Sequence, residues 1–523
     1  MSGELNRMVH RAAAAAVLVV LLTGVPRAGR AGSLGWFGND ARSAAMGGSG
    51  LAQGGGPGAL LLNPALLSYR PGGFWLGYSV APNLLHIDLD PSQPEYEVPA
   101  EIYDTSSTGW SLDRPVPTSL LSKKRRSTRD LPPEMLLSVV AVETFFHEDL
   151  RVGIGLTVPL PGMVALDAWY NDEREQHFSN RLHFERFGEF DSAISIYPAV
   201  SFAPLEWISL GVALKVDLAL VLDAQMFLTE GTEWEYSYIN TGGRVEPAWR
   251  PIAGLSFCTP IGLDFGIVYQ HYSYFDTRVD IDLGVWNGER PLPDSDELQA
   301  TFEQSHRFVF GYEPREVALA AAWSRGPLVI EASGAWQQWS LYLDRHGNHW
   351  THPGREPGEK WKDPDFRDVF TVRGGVEWWP VEWAAVRAGA GFFPSPMPSQ
   401  TGRYNYVDND ISLYSLGAGF RWQAWSRWFT ADLGAQLWHM HSMQVHKSNT
   451  NPRRGGLVDE VPDAVTDFDG EPLEEGQGFQ TNNPGFPGYS FGGAMLSFSL
   501  MLGLEFDAAP VAEISAGEKG SER

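Results

Sequence analysis

Eight charged residues sit inside otherwise apolar stretches of this chain: Lys215, Asp217, Glu331, Arg373, Glu377, Arg387, Arg421 and Asp432. Two chemistries suit such residues. Opposite charges on neighbouring strands can pair across a sheet, and a lone cation can hold the polar end of a bound molecule. Three further groups carry reactive types. Lys123, Lys124, Arg125 and Arg126, with Arg129, form a basic run suited to capturing an anionic amphiphile or the phosphates of lipopolysaccharide. Its alternative is an ordinary solvated loop. His346, His349 and His352 recur every third residue, but a Gly- and Pro-rich loop offers nothing to orient metal ligands, so no metal is expected. Asp467-Phe468-Asp469-Gly470 matches part of a calcium loop, yet Val465 and Gly476 stand where the first and last carboxylates should. The chain has no GxSxG elbow, phosphate loop or dinucleotide fingerprint, so neither an enzyme nor a cofactor is expected. A barrel lipase or acyltransferase is the enzyme alternative, and release of fatty acid from phospholipid by the repurified protein would reveal it.

Alternation dictates which way these charges point. Between Ile411 and Trp438, Tyr414, Leu416, Ala418, Phe420 and Trp422 share one strand face, while Ser415, Gly417, Gly419 and Arg421 share the other. After a break at Ala424 to Ser426, Phe429, Ala431, Leu433, Ala435 and Leu437 oppose Thr430, Asp432, Gly434 and Gln436. Each ribbon is long enough to cross a bilayer when tilted. About fourteen such segments recur, from Phe74 to Asp88 at one end to Tyr489 to Phe506 at the other. Their connections alternate between short and long, and the long ones are rich in Pro, Gly and acid. Turned towards lipid, a midplane Arg or Lys would cost roughly 2 to 4 kcal/mol, so the charges should face inward. Trp207, Trp378, Trp379, Trp383, Trp422, Trp425 and Trp428 gather beside the short turns, where indoles suit the headgroup level. A propeller or sandwich core is the competing reading, but no blade-length tryptophan period supports it.

The whole chain agrees with a membrane barrel. Arg7 and Arg11 precede an apolar run from Ala12 to Leu22, and small residues follow, which reads as a secretory signal cut after Ala31. Beyond it there is no uninterrupted apolar stretch of about 18 residues, so a helical membrane protein is not expected. The remaining route is a closed barrel with every backbone group paired between strands. The 523 residues include 56 Gly and 20 Trp, and mean hydropathy is negative, as a wall that gives only alternate residues to lipid requires. A formal charge of -25 argues against nucleic acid. The single cysteine, Cys258, leaves no disulfide framework.

Ahead of the first ribbon, Gly38 to Gly50 is built of small residues and includes Gly47 and Gly48, and Leu61-Leu62-Asn63-Pro64-Ala65-Leu66-Leu67 follows. Asn-Pro alone is an ordinary turn signal. Later come Val386-Arg387-Ala388-Gly389-Ala390-Gly391-Phe392-Phe393, a proline loop from Pro394 to Pro398, Asp408-Asn409-Asp410, and Leu416-Gly417-Ala418-Gly419-Phe420. Ala335-Trp336-Gln337-Gln338-Trp339-Ser340 adds a Trp-x-x-Trp-Ser strand. Together these segments resemble the FadL / OmpP1 / TodX family of outer-membrane transporters of hydrophobic compounds, although Val407 stands where that family usually has proline. The resemblance implies an all-β, fourteen-stranded transmembrane antiparallel barrel with an N-terminal hatch plugging the lumen. Residues 1–31 are then signal, 32–72 hatch, 73–506 barrel and 507–523 a tail that the family generally lacks.

What the resemblance implies for function is passive uptake of long-chain fatty acids or other hydrophobic molecules. Passage would run through a pocket above the hatch and a sideways opening at a kink in the third strand, where Gly153, Gly155, Pro159 and Pro161 weaken pairing; prolines at a strand end are equally ordinary stops. The expected hatch residues are Gly47, Gly48, Asn63, Pro64 and Ala65. Lys215, Arg373, Arg387, Arg421 and Asp432 are the lumen or substrate-contact candidates. The expected partners are a hydrophobic small molecule such as a fatty acid, outer-membrane lipid, lipopolysaccharide and the barrel assembly machinery, with the chain acting as a single copy. A secretion or cell-surface scaffold and an open polar porin are the alternatives.

Overall fold

A computed structural model of the chain describes residues 40–89, 134–145, 147–160, 186, 193–219, 236–245, 247–286, 300–343, 365–398, 406–446 and 488–506. The signal segment, the basic run at Lys123 to Arg129, Pro161, the three histidines, the acidic run after Val458 and the tail lie outside them. The strands are β1 (Gly73–Ala81), β2 (Asn83–Leu89), β3 (Glu134–Phe145), β4 (His147–Pro159), β5 (Ala193–Leu205), β6 (Ile208–Ala219), β7 (Tyr236–Val245), β8 (Ala248–Phe257) and β9 (Leu263–Gln270). They continue with β10 (Ser273–Trp286), β11 (Ala300–Glu313), β12 (Arg315–Arg325), β13 (Leu328–Gln338), β14 (Val369–Val381), β15 (Ala384–Phe393), β16 (Ile411–Ala424), β17 (Arg427–His446) and β18 (Gly488–Glu505).

The wall closes because β1 pairs with β3 on one side and β18 on the other. β2 continues β1 along β18 without a change of register, from Val80 opposite Phe498 to Asn83 opposite Met495. Counting β1 and β2 as one position, the antiparallel wall has fourteen strands, in agreement with the alternation in the sequence. β7, β10 and β11 form a separate three-stranded sheet and adjoin wall strands β8, β9 and β12 in the chain. That sheet went unread in the sequence because Gln304 and His306 interrupt the apolar alternation of β11, and Asn240 and Gly242 that of β7.

The wall is apolar outside and polar within, the reverse of a soluble sheet protein. Leu210, Val212, Phe370, Val372, Leu416 and Phe498 are exposed, while Ser138, Ser209, Ser256, Thr371, Gln436 and Ser497 are buried. Only an apolar solvent around the wall makes both halves of that arrangement favourable. Trp207, Trp378, Trp383, Trp422 and Trp425 are exposed on the outer surface near the short turns. Trp428 differs from the sequence expectation: its ring lies 4.2 Å from the Arg421 guanidinium, on the inward face of β17.

The β16 to β17 hairpin turns on Trp425 and Ser426, both left-handed at φ 49° and 59°. Such a two-residue turn matches strand twist but strains residues with a Cβ, at about 1 to 2 kcal/mol each. Replacing the pair by Asn-Gly should therefore raise the thermal unfolding midpoint in detergent. An unchanged or lower midpoint would show that the indole contributes more than the strain removes.

Candidate functional site

Residues ahead of the first strand, from Asp40 to Gly72, are folded inside the wall. Residues 40–72 carry two short helices, α1 (Ala41–Ala45) and α2 (Gly56–Leu61), and a 3-10 helix (Pro64–Tyr69). Helices this short are marginal alone, so their stability comes from their surroundings. Ala41, Ala44, Ala45, Met46, Ala59, Leu60, Leu66 and Leu67 are all essentially inaccessible to solvent.

Side chains of the wall satisfy the hatch's backbone. Both oxygens of Glu331 on β13 are used: Oε1 accepts the N–H of Gly50 (2.7 Å), Leu51 (2.8 Å) and Ala52 (3.3 Å), and Oε2 that of Gln53 (3.1 Å). Ser415 accepts the N–H of Gly47 at 2.7 Å and donates to the Ala45 carbonyl at 2.9 Å. Gln436 donates to the carbonyl of Ala44 at 2.9 Å, and Ser201 and Ser209 donate to that of Ala65 at 3.0 and 2.7 Å. Gly47 and Gly48 both hold left-handed backbone, φ 71° and 79°, which turns the chain after α1. Asn63 caps the 3-10 helix by accepting the Ala65 N–H at 3.1 Å, and its amide donates to the Leu51 carbonyl at 2.7 Å. The motif thus ties two hatch segments together.

Glycines in the wall make room for this contact. A Cβ on Gly254 would lie 2.1 Å from Asn63 Oδ1, one on Gly211 2.2 Å from the Ala65 nitrogen, and one on Gly389 2.2 Å from the Gly47 nitrogen. Gly153 and Gly155 belong to the same set. Both pair with β3 and with β5 in unbroken register, so the ladder is continuous at these two glycines, while the pairing with β5 ends at Thr157. Their missing side chains accommodate Leu60: a Cβ would come within 2.6 Å of it at Gly153 and 2.9 Å at Gly155. Pro159 ends β4 opposite Leu136.

The lumen charges resolve into distinct groups. Arg387 pairs with Glu377 and Asp432, both at 2.6 Å, and Glu377 also holds hatch residue Arg42 at 2.9 Å through both oxygens. Lys215 pairs with Asp217 at 3.0 Å and Glu313 at 2.6 Å, and Glu313 also meets Arg250. Arg421 pairs with Glu505 at 3.3 Å. Arg373 differs: among the described residues it has no carboxylate partner, only the Gly48 carbonyl at 3.4 Å and the Phe393 ring at 5.4 Å. Sequence parity indicated the inward direction of these residues. It could not indicate that Glu331 grips hatch amides or that Arg42 completes the Glu377 cluster.

Asp40 caps α1, accepting the Ser43 N–H at 3.1 Å. Burial, reinforced by the charge of Asp432, pushes its carboxyl up to about 6. The folded value lies above the ordinary one, so this residue's contribution weakens as pH rises from about 3.8 to about 6. Asp40→Asn should remove that dependence and keep the cap, leaving hatch stability at pH 7 unchanged or improved. A clear loss at pH 7, read as faster proteolysis of the hatch, would contradict this.

Two apolar clusters line the lumen on the long-loop side of the hatch. One gathers Phe393, Ile411, Leu413, Trp438, Met440, Tyr489, Phe491 and Met495; the other gathers Tyr312, Trp339, Tyr342, Phe366, Val369, Met397 and Tyr406. Trp438 donates to Gln436 at 3.2 Å, which places the first cluster directly on the residue that holds α1. A hollow of about 780 Å³ opens on the outer apolar belt, lined by Phe265, Ile267, Leu319, Ala321 and Val372 and also by Ser333 and Arg373.

No protein-family model and no curated protein sequence matches the chain. Solved structures do. A Pseudomonas aeruginosa FadL homologue superimposes with a TM-score of 0.53 at 15% identity, covering 92% of this chain and 99% of that one. The Pseudomonas putida toluene transporter TodX overlaps less closely, at TM-score 0.42 and 12% identity over 88% of this chain and 96% of that one. So does the Ralstonia pickettii toluene transporter TbuX, at 0.43 and 12% over 90% and 99%. The fold assignment rests on the first of these and on the geometry above: this chain has the fold of a FadL-type outer-membrane barrel, with fourteen antiparallel strands closed around its own N-terminal segment.

Proposed function

We propose that this protein resides in an outer membrane and passes small hydrophobic molecules, long-chain fatty acids among them, inward by diffusion. The observation that carries the reading is the pairing of a sealed hatch with apolar clusters above it. Backbone-to-wall hydrogen bonds at Glu331, Ser415 and Ser209 oppose an open aqueous pore, while Trp339, Trp438 and the methionines beside them suit a greasy ligand. The similarly folded FadL homologue points the same way.

For a sideways exit, support comes from the β5 to β6 ladder. It pairs Ile196 with Val216 and resumes at Ala199 with Ala213, skipping Tyr197 and Pro198. Proline has no N–H to give, so the ladder is interrupted at this point. The test is uptake of radiolabelled oleate by a Gram-negative host that lacks its own fatty-acid channel. Restored uptake without increased entry of a small polar sugar is the expected result. Sugar entry without oleate uptake would replace this reading with a porin.

A further inference from the structure

β17 carries two histidines on its outward side, at the end where the long loops begin. His439 and His441 are both exposed, while Trp438 and Met440 alternate with them and are buried. The two imidazole rings stand 5.5 Å apart, centre to centre, tilted by 40°. At the other end of the strand, Phe429 stacks on the rim indole of Trp422, 5.8 Å away. From Phe429 to His439 the chain runs roughly 33 Å, which at a strand tilt of about 40° climbs about 25 Å, the height of a barrel's apolar band. The histidines therefore sit at the headgroup level opposite the tryptophans.

His441 is held more firmly than an exposed strand end requires. The ladder between β17 and β18 shifts register between Met440 and Met443, and His441 and Ser442 are both exposed at this bulge. Bulges of this kind re-aim a side chain. The His441 N–H donates to the Asp410 carbonyl at 3.0 Å, and its own carbonyl accepts the Asn409 side-chain amide at 2.9 Å. Its ring meets Phe392 edge to face at 6.5 Å, and its Nε2 lies 2.9 Å from the Ser412 hydroxyl. With Nε2 donating to Ser412, Nδ1 is the ring nitrogen that can take a metal. Ligating imidazoles are oriented by an outer hydrogen bond in just this way.

Neutral imidazole suits zinc, copper and nickel. At Zn–N distances of about 2.0 to 2.1 Å, two imidazoles on one tetrahedral ion hold their ring centres roughly 5 Å apart, close to the separation already present here. Among the described residues no third His, Cys, Asp or Glu joins the pair, so the remaining coordination positions stay open to outside ligands. The chain's formal charge of -25 concentrates cations around it. We propose that His439 and His441 form a surface site for a divalent transition-metal ion, with oxygen ligands from outside the chain completing the tetrahedron. Ser412 acts as a positioning residue, through His441. The site lies outside the lumen and does not depend on the transport reading.

The test is zinc binding by the full-length protein, purified in non-ionic detergent without a histidine tag and measured by titration calorimetry. Wild type should bind one zinc ion that both His439→Ala and His441→Ala lose, with an unchanged thermal midpoint because both side chains are exposed. Ser412→Ala should weaken that ion about 10-fold, as removal of an outer hydrogen bond to a ligating imidazole does. His446→Ala, farther along β17, should keep it, and so should a variant carrying His346→Ala, His349→Ala and His352→Ala together. Copper in place of zinc gives a second readout: electron paramagnetic resonance should show coupling to two imidazole nitrogens in wild type and lose it in His441→Ala. Zinc uptake that is the same in wild type, His439→Ala and His441→Ala overturns the site. Loss of the ion on replacing the three loop histidines overturns it equally.

Discussion

Glu331→Ala should release the hatch from the wall and turn a sealed barrel into a leaky one. Four consecutive backbone N–H groups, Gly50 to Gln53, end on this one carboxylate. Hydrogen bonds to a charged group contribute about 1.5 to 3 kcal/mol each, and although they do not add fully, losing four at once exceeds what a short plug segment can absorb. The segment would lose its anchor and expose its amides to lumenal water. Single-channel recording in planar bilayers should show frequent openings that wild type lacks, and the hatch should become cleavable by added protease. Glu331→Gln should be intermediate: it keeps an acceptor but loses the charge and turns one acceptor position into a donor. A closed, protease-resistant Glu331→Ala barrel would mean that the hatch is held elsewhere.

Gly254→Ala is the second large effect. The added methyl carbon would sit 2.1 Å from Asn63 Oδ1 and 3.1 Å from Pro64 Cδ, inside the contact limit. The wall strand itself accepts alanine readily, so the strain falls on the Asn-Pro-Ala segment. Overpacking of this kind costs about 1 to 3 kcal/mol or more, and here it also threatens the Asn63 bond to Leu51. Gly334→Ala is the matched control, since its nearest contact would be the Thr371 carbonyl at 3.7 Å. A cysteine at Ala52, buried at 1% exposure in wild type, should become reactive to a thiol reagent in the Gly254→Ala background and stay protected in the Gly334→Ala background. Each measurement uses a Cys258→Ser background, so that only the new thiol is read. Equal protection in both would show that the hatch tolerates the methyl group.

Much of this molecule was legible from alternation alone. Leu416 and Phe420 face out while Ser415 and Arg421 face in, because strand side chains alternate whatever the wider fold. The count of wall strands followed from the same rule. At the third strand alternation could not tell apart the two uses that glycine has in a wall. Gly153 and Gly155 signal weak pairing in isolation, yet here the ladder holds and the absent side chains receive Leu60. The β7, β10 and β11 sheet was missed because polar residues and glycines break the two-residue period in β7 and β11, although β10 alternates cleanly.

By itself the sequence determined direction and solvent: which residues turn towards the lumen, that the other face needs an apolar medium, and that indoles gather at one rim. These are local properties, settled by a residue and its nearest neighbours. Partnership was decided only by the closed structure. Glu331 meets Gly50 across 281 positions of chain, and Arg42 meets Glu377 across 335. The stagger at which the ribbons join and the depth at which the hatch lies decide which inward charge finds a carboxylate, which finds a backbone amide, and why Arg373 finds neither among the described residues.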